Sequence, residues 1–122
     1  MDVTGVSTAG TGCRGVSEIL NRVGDKWTVQ VVVALRDHPR RFNELKRQVT
    51  GISQQMLTRT LKTLERDGLA SRTVVTRTPP QVEYALTDLG RSLAKPLRML
   101  AEWSIANLDT IHQCREQYDN DP

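Results

Sequence analysis

The hydrophobic period of this chain changes at Gly68, and the change narrows what the chain can fold into. From Ser53 to Asp67 the apolar positions recur at helical spacing. With each residue advancing about 100°, Leu57, Thr60, Leu61 and Leu64 share one side and Met56 lies on its flank. Ser53 is a preferred N-cap type after Gly51-Ile52, and Gly68 stands where a left-handed C-cap ends a helix. Beyond Gly68 the period becomes two. "LASRTVVTR" alternates and is rich in β-branched residues, "TPPQ" is a turn, and "VEYALT" puts Val82, Tyr84 and Leu86 on one side. A helix running straight into a β-hairpin is therefore predicted, with Arg72 and Arg77 on the first strand, towards the hairpin tip.

Three shorter helices are predicted upstream. "VSEILNRVG" spaces Val16, Ile19, Leu20 and Val23 as a helix closed by Gly24. "DKWTVQVVVALRD" is rich in valine and compatible with a strand, but its length of about three turns and Asp25 as N-cap favour a helix. "RFNELKRQV" gives Phe42, Leu45 and Val49 at helical spacing, in a helix starting near Asn43. "TGI" joins it to the Ser53 helix. Two helices linked by a short Gly-containing turn, the second with a polar outer face, form a helix-turn-helix, and a hairpin directly after it is a wing. Phe42, Leu45, Leu57, Leu61, Leu64, Leu69 and Tyr84 are the expected core, and Trp27 a packing residue.

The outer face of the Ser53 helix carries Gln55, Thr58, Arg59, Lys62 and Arg66, with Gln54 at its exposed N-terminal end, and no acid. A merely solvated face usually mixes charge signs; amide, hydroxyl and guanidinium groups are those that meet base edges and phosphates. Net charge is only +3, but residues 36–77 hold ten basic against four acidic side chains, whereas residues 78–122 hold four against seven. The basic surplus thus coincides with the helix-turn-helix and attracts polyanions.

From "TDLG", where Thr87 or Asp88 caps, a final helix carries an apolar seam of Leu89, Leu93, Leu97, Leu100 and Ile105, with Trp103 and Leu108 beside it. Pro96 lies within it, so a kink or break is expected there. The seam is longer than one small winged domain buries. It predicts a symmetric homodimer whose interface includes Leu93, Leu97, Leu100, Trp103 and Ile105.

At 122 residues the chain fits one domain. The expected organisation is a flexible tail over 1–12, the winged domain with its dimerisation helices over 13–110, and a tail or helix end over 111–122. No apolar run approaches the roughly 18 residues a membrane span needs, and the first residues lack the pattern of a signal peptide. Two cysteines, Cys13 and Cys114, provide neither a disulfide framework nor metal-ligand spacing, so a cytoplasmic protein is expected. His38 and His112 are isolated, and no phosphate loop or paired-carboxylate motif occurs, so neither an enzyme nor a cofactor or metal is expected.

The order and spacing of "GDKWTVQVVVAL", "RFNELKRQVTGISQQMLTRTLKTLERDGLASR", "PPQVEYALTDLGRSL" and "EW" resemble the HxlR-type winged helix-turn-helix transcriptional regulators of bacteria, over about Cys13 to Trp103. Asp25 stands where many of those proteins have a second Gly. The resemblance implies a mainly α fold with a small β-hairpin, N- and C-terminal helices at a dimer interface, and a dimeric DNA-binding regulator. It also implies a thiol sensor at Cys13, as in some relatives; Arg14 beside it and a nearby helix start favour thiolate. Cys114 is the weaker sensor candidate.

On double-stranded DNA, Gln54, Gln55, Thr58 and Arg59 are expected to read bases. Arg41, Lys46, Arg47, Ser53, Lys62 and Arg66, with wing residues Arg72 and Arg77, are expected to bind phosphates. The alternative is a winged-helix module that binds proteins and no nucleic acid. The effector, operator and sign of regulation are not encoded in any motif.

Overall fold

The computed structural model describes residues 15–21 and 24–121. Residues 1–14, with the predicted tail and Cys13, and Val23 of the first helix lie outside the described residues. The elements are α1 (residues 15–21), α2 (Lys26–Leu35), β1 (Arg40–Arg41), α3 (Phe42–Gln48), α4 (Gln54–Arg66), β2 (Ala70–Val75), β3 (Gln81–Leu86) and α5 (Asp88–Asn120).

The valine-rich segment is a helix because cap and burial agree. The Asp25 carboxylate accepts the Trp27 N–H at 2.9 Å, and Thr28, Val31, Val32 and Leu35 are buried at helical spacing. At its far end Arg40 Nε donates to the Ala34 carbonyl at 2.7 Å, putting a cation at the negative end of the helix. Helix α3 starts one residue earlier than Asn43, because the Arg41 backbone N–H donates to the Glu44 carboxylate at 2.8 Å and closes the first turn ahead of it.

Gly51 at φ 87° makes the turn into α4, a conformation that a Cβ disfavours. The Ser53 hydroxyl then accepts the Met56 N–H at 3.0 Å. Helix α4 ends in a Schellman motif: Leu69 N–H donates to Leu64 C=O at 2.9 Å, Gly68 N–H to Glu65 C=O at 3.0 Å, and Gly68 takes φ 77°.

The sheet has three antiparallel strands in the order β1-β3-β2, with Arg40 opposite Tyr84, and Ala70 opposite Leu86. The hairpin matches expectation, whereas β1 does not follow from the pattern, since two residues carry no period. Two wing placements are corrected. Arg72 sits opposite Tyr84 in mid-strand, not near the tip, and Arg77 lies in the connecting loop, because pairing stops at Val75 and Gln81.

The core joins Val31, Val32 and Leu35 of α2, Leu45 of α3, Val49 and Ile52 of the turn, Leu57, Leu61 and Leu64 of α4, Leu69 of the turn that closes α4, Ala70 and Leu86 of the sheet, and Ala94 and Leu97 of α5. Phe42, Tyr84 and Trp27 pack half-buried against it.

Helix α5 opens at Thr87, whose hydroxyl accepts the Gly90 N–H at 3.1 Å, and runs 33 residues without the break expected at Pro96. Proline removes one backbone bond, and Pro96 is exposed, so water can serve the carbonyl it leaves. Buried Ala94 and Leu97 anchor the helix on both sides. The helix continues through residues 111–120.

Candidate nucleic-acid interface

On α4 the buried stripe forces the remaining side chains outward. Gln55, Thr58, Arg59, Lys62 and Arg66 come together along one shallow concavity of about 380 Å³. Gln54 is exposed in the first turn but stands outside it. The Thr58 hydroxyl donates to the Gln54 carbonyl at 2.9 Å, so Thr58 presents its methyl and lone pairs rather than a free donor. Ser53 Oγ acts as an acceptor in its cap, which leaves its own proton available to a phosphate beside the positive end of the helix.

The flanking cations are differently engaged. Arg41 lies 4.0 Å from the Glu44 carboxylate. The Arg41 backbone N–H bond holds the Glu44 carboxyl below its usual range, helped by the charges of Arg41, Arg40 and Arg47 and opposed by desolvation. Lys46 and Arg47 are exposed in the last turn of α3, where cations favour the helix end. Among the described residues, Lys46, Arg47, Arg59, Lys62, Arg66, Arg72 and Arg77 make no ion pair with a carboxylate. Carboxylates of the described residues therefore leave these seven cations unpaired. Arg40, part of the same charge surplus, instead caps α2.

The apolar seam divides. Leu97 is only 3% exposed and belongs to the domain's own core, so it is not open to a partner as expected, whereas Leu93 is half-buried against that core. Leu100, Trp103 and Ile105 are exposed by 49%, 57% and 79%. Among the described residues, every exposed large apolar side chain except Val74 lies on α1 or α5, including Val16, Ile19, Leu20 and Tyr118. Cys114 is an exposed free thiol on α5.

Sequence reasoning missed the joint between α4 and α5. Thr87 Oγ1 donates to Gly68 C=O at 2.6 Å, and Thr87 N–H donates to Leu69 C=O at 3.0 Å. A Cβ on Gly90 would stand 2.0 Å from the Leu69 carbonyl oxygen, so only glycine lets α5 rest directly on the turn that closes α4. The one available signal was a glycine in the first turn of a helix, in "TDLG".

No group of His, Cys, Asp or Glu among the described residues could hold a metal, and no described helix is long and apolar enough to cross a membrane.

Comparison with known proteins places this geometry. Residues 22–112 match the family described as HxlR-like helix-turn-helix. The uncharacterized HTH-type transcriptional regulator YtfH of Escherichia coli strain K12 is 38% identical over 100 residues, covering 82% of this chain and 79% of its own. The solved putative transcriptional regulator ytfH from Salmonella typhimurium superposes with a TM-score of 0.76 at 40% identity, over 83% of this chain and 90% of that one. The redox regulator HypR in its oxidized form gives 0.72 at 39% identity, over 76% and 96%.

Proposed function

The chain belongs to the HxlR-like helix-turn-helix family of transcriptional regulators, and from that premise we propose that it binds a pseudo-palindromic operator as a homodimer, with α4 in the major groove. The carrying observation is the outer face of α4, where Gln55, Thr58, Arg59, Lys62 and Arg66 share one acid-free concavity.

Gln55 and Arg59 suit adenine and guanine edges, and Thr58, with its proton donated to the backbone, suits a thymine methyl. Gln54 reaches bases from the first turn. Lys62, Arg66, Arg41, Lys46, Arg47 and the Ser53 hydroxyl hold phosphates, joined by Arg72 and Arg77 of the wing. Leu100, Trp103 and Ile105 meet a second copy and set two α4 helices about one helical turn, roughly 34 Å, apart or a multiple of it. The protein works without a cofactor or catalytic step, in the cytoplasm. The redox regulator HypR supports a thiol-responsive reading, with Cys13 as the sensor.

The test is selection of bound sites from random duplex DNA, followed by titration at rising salt. A paired half-site motif and a steep fall of affinity with salt are expected; salt-insensitive, unselective binding rejects the reading. For the thiol, operator binding by the wild type, and not by Cys13→Ser, should respond to mild diamide. An equal response of both excludes Cys13.

A further inference from the structure

Helix α2 opens on a cation where a helix start does not favour one. Lys26 is its first residue, its first turn contains no acid, and the positive end of a helix repels an ammonium. Asp25, the neighbouring acid, accepts the Trp27 N–H at 2.9 Å, and among the described residues Lys26 makes no ion pair with a carboxylate. The ammonium rests instead on the indole of Trp27, 4.5 Å from the ring centroid, in a cation–π contact. Helix stability alone does not call for a lysine at this position.

The indole carries that ammonium to the helix-turn-helix. A Cβ on Gly51 would stand 3.9 Å from Trp27 Cη2, so the far edge of the ring lies beside the turn between α3 and α4. Trp27 is half-buried against the core, and Val49 and Ile52, on either side of Gly51, are buried, which fixes ring and turn together. Lys46 and Arg47 precede this turn and Ser53 follows it, all three proposed above to hold phosphates. Lys26 reaches the same turn from a helix remote from it in sequence, and is exposed there.

We propose that Lys26 is a further phosphate contact of the DNA interface and that Trp27 is the residue that positions it. The ring holds the lysine in place before DNA arrives, so less side-chain freedom is lost on contact. Ammonium N–H groups that do not face the ring remain for a phosphate oxygen. Such a contact adds affinity and register but no base preference. It rests on the DNA-binding reading, and the wild type serves to tell the two apart.

The experiment titrates the full chain, as wild type, Lys26→Gln and Lys26→Arg, with the selected operator and with random duplex. Lys26→Gln should weaken both DNAs alike and lower the salt slope by about one, so its gap from the wild type narrows about threefold between about 50 and about 200 mM salt. Lys26→Arg should keep the wild-type slope, and the thermal unfolding midpoints of all three should coincide. The cost of Lys26→Gln should shrink at least about twofold in Trp27→Met, which keeps apolar bulk without a ring, and persist in Trp27→Phe. An equal cost in both overturns the positioning role of Trp27. A loss confined to the operator, or one that follows a lowered unfolding midpoint, overturns the phosphate contact. A wild type that binds no duplex removes the DNA-binding reading and this contact together, whereas a wild type that binds no better than Lys26→Gln removes the contact alone.

Discussion

Helices α4 and α5 begin in the same way, with a hydroxyl cap: Ser53 accepts from Met56 N–H and Thr87 from Gly90 N–H. Both carry a leucine stripe. In α4 the stripe is wholly consumed by the domain, with Leu57, Leu61 and Leu64 no more than 1% exposed, and the outward side chains Gln55, Thr58, Arg59, Lys62 and Arg66 are polar and, among the described residues, make no ion pair with a carboxylate. In α5 only Gly90, Ala94 and Leu97 are buried, while Leu100, Trp103, Ile105 and Leu108 face outward. A short helix lying across the core satisfies its apolar face and leaves a polar one turned outward. A helix of 33 residues outruns the core, and its remaining apolar residues need a second surface.

The strongest way to break this comparison is to truncate one leucine-class residue from each helix. Leu61→Ala should lower unfolding free energy by about 2–5 kcal/mol in urea titrations, through lost burial and the cavity left behind. Ile105→Ala, on the exposed part of α5, should stay within about 0.5 kcal/mol under conditions where the chain is monomeric. Equal losses would mean that α5 packs against its own domain beyond Leu97.

Trp103→Glu attacks the same contrast at the proposed interface. A buried interface tryptophan is typically worth about 2 kcal/mol or more, and a charge there costs further. Sedimentation should therefore show monomer where the wild type is dimer, with the circular dichroism of the fold retained. A variant that remains dimeric would move the interface away from this part of α5.

On α4 the expected losses are smaller and confined to DNA. Gln55→Ala and Arg59→Ala should each cost about 1–3 kcal/mol at the selected operator and relax base preference, with little change on random duplex. Lys62→Ala should weaken both DNAs alike and reduce the salt slope by about one. If Arg59→Ala behaved like Lys62→Ala, Arg59 would be a phosphate contact, and base reading would fall to Gln54, Gln55 and Thr58.

The two helices also differ in how far they were legible. Ser53, the leucine stripe and Gly68 each specify the same helix, and the structure bears each of them out, because caps and period are local properties. The seam of α5 was equally visible, but its division at Leu97 was not. Which leucines are buried depends on where the rest of the domain stops, and no spacing encodes that. That Pro96 does not break the helix was illegible for a related reason, since the cost of a missing N–H is set by whether water reaches the orphaned carbonyl. Strand β1 and the contact of Gly90 with Leu69 escaped because each rests on a partner remote in sequence. At the candidate interface, residue types and face were readable from α4 alone. The commitment of Thr58 to the Gln54 carbonyl, the position of Arg77 in a loop and the diversion of Arg40 to cap α2 were not.

The smallest expected effect concerns charge at helix starts. The first turns of α3 and α5 contain an acid, Glu44 and Asp88, whereas that of α4 contains none. An acid there would favour the helix dipole but oppose an incoming phosphate, so α4 forgoes a stabilisation that its neighbour α3 takes. Glu44 makes that difference measurable. Its folded-state pKa is lowered, first by the Arg41 N–H bond, so the folded state favours the ionised form. The resulting stabilisation is present above the ordinary value of about 4.5 and is lost as pH falls through the lower folded value. The gap in urea midpoint between the wild type and Glu44→Gln should therefore be widest near neutral pH and close below the ordinary glutamate value. A gap that stays constant into acid would assign the contribution of Glu44 to geometry rather than charge. The acid-free start of α4 would then lose its electrostatic explanation.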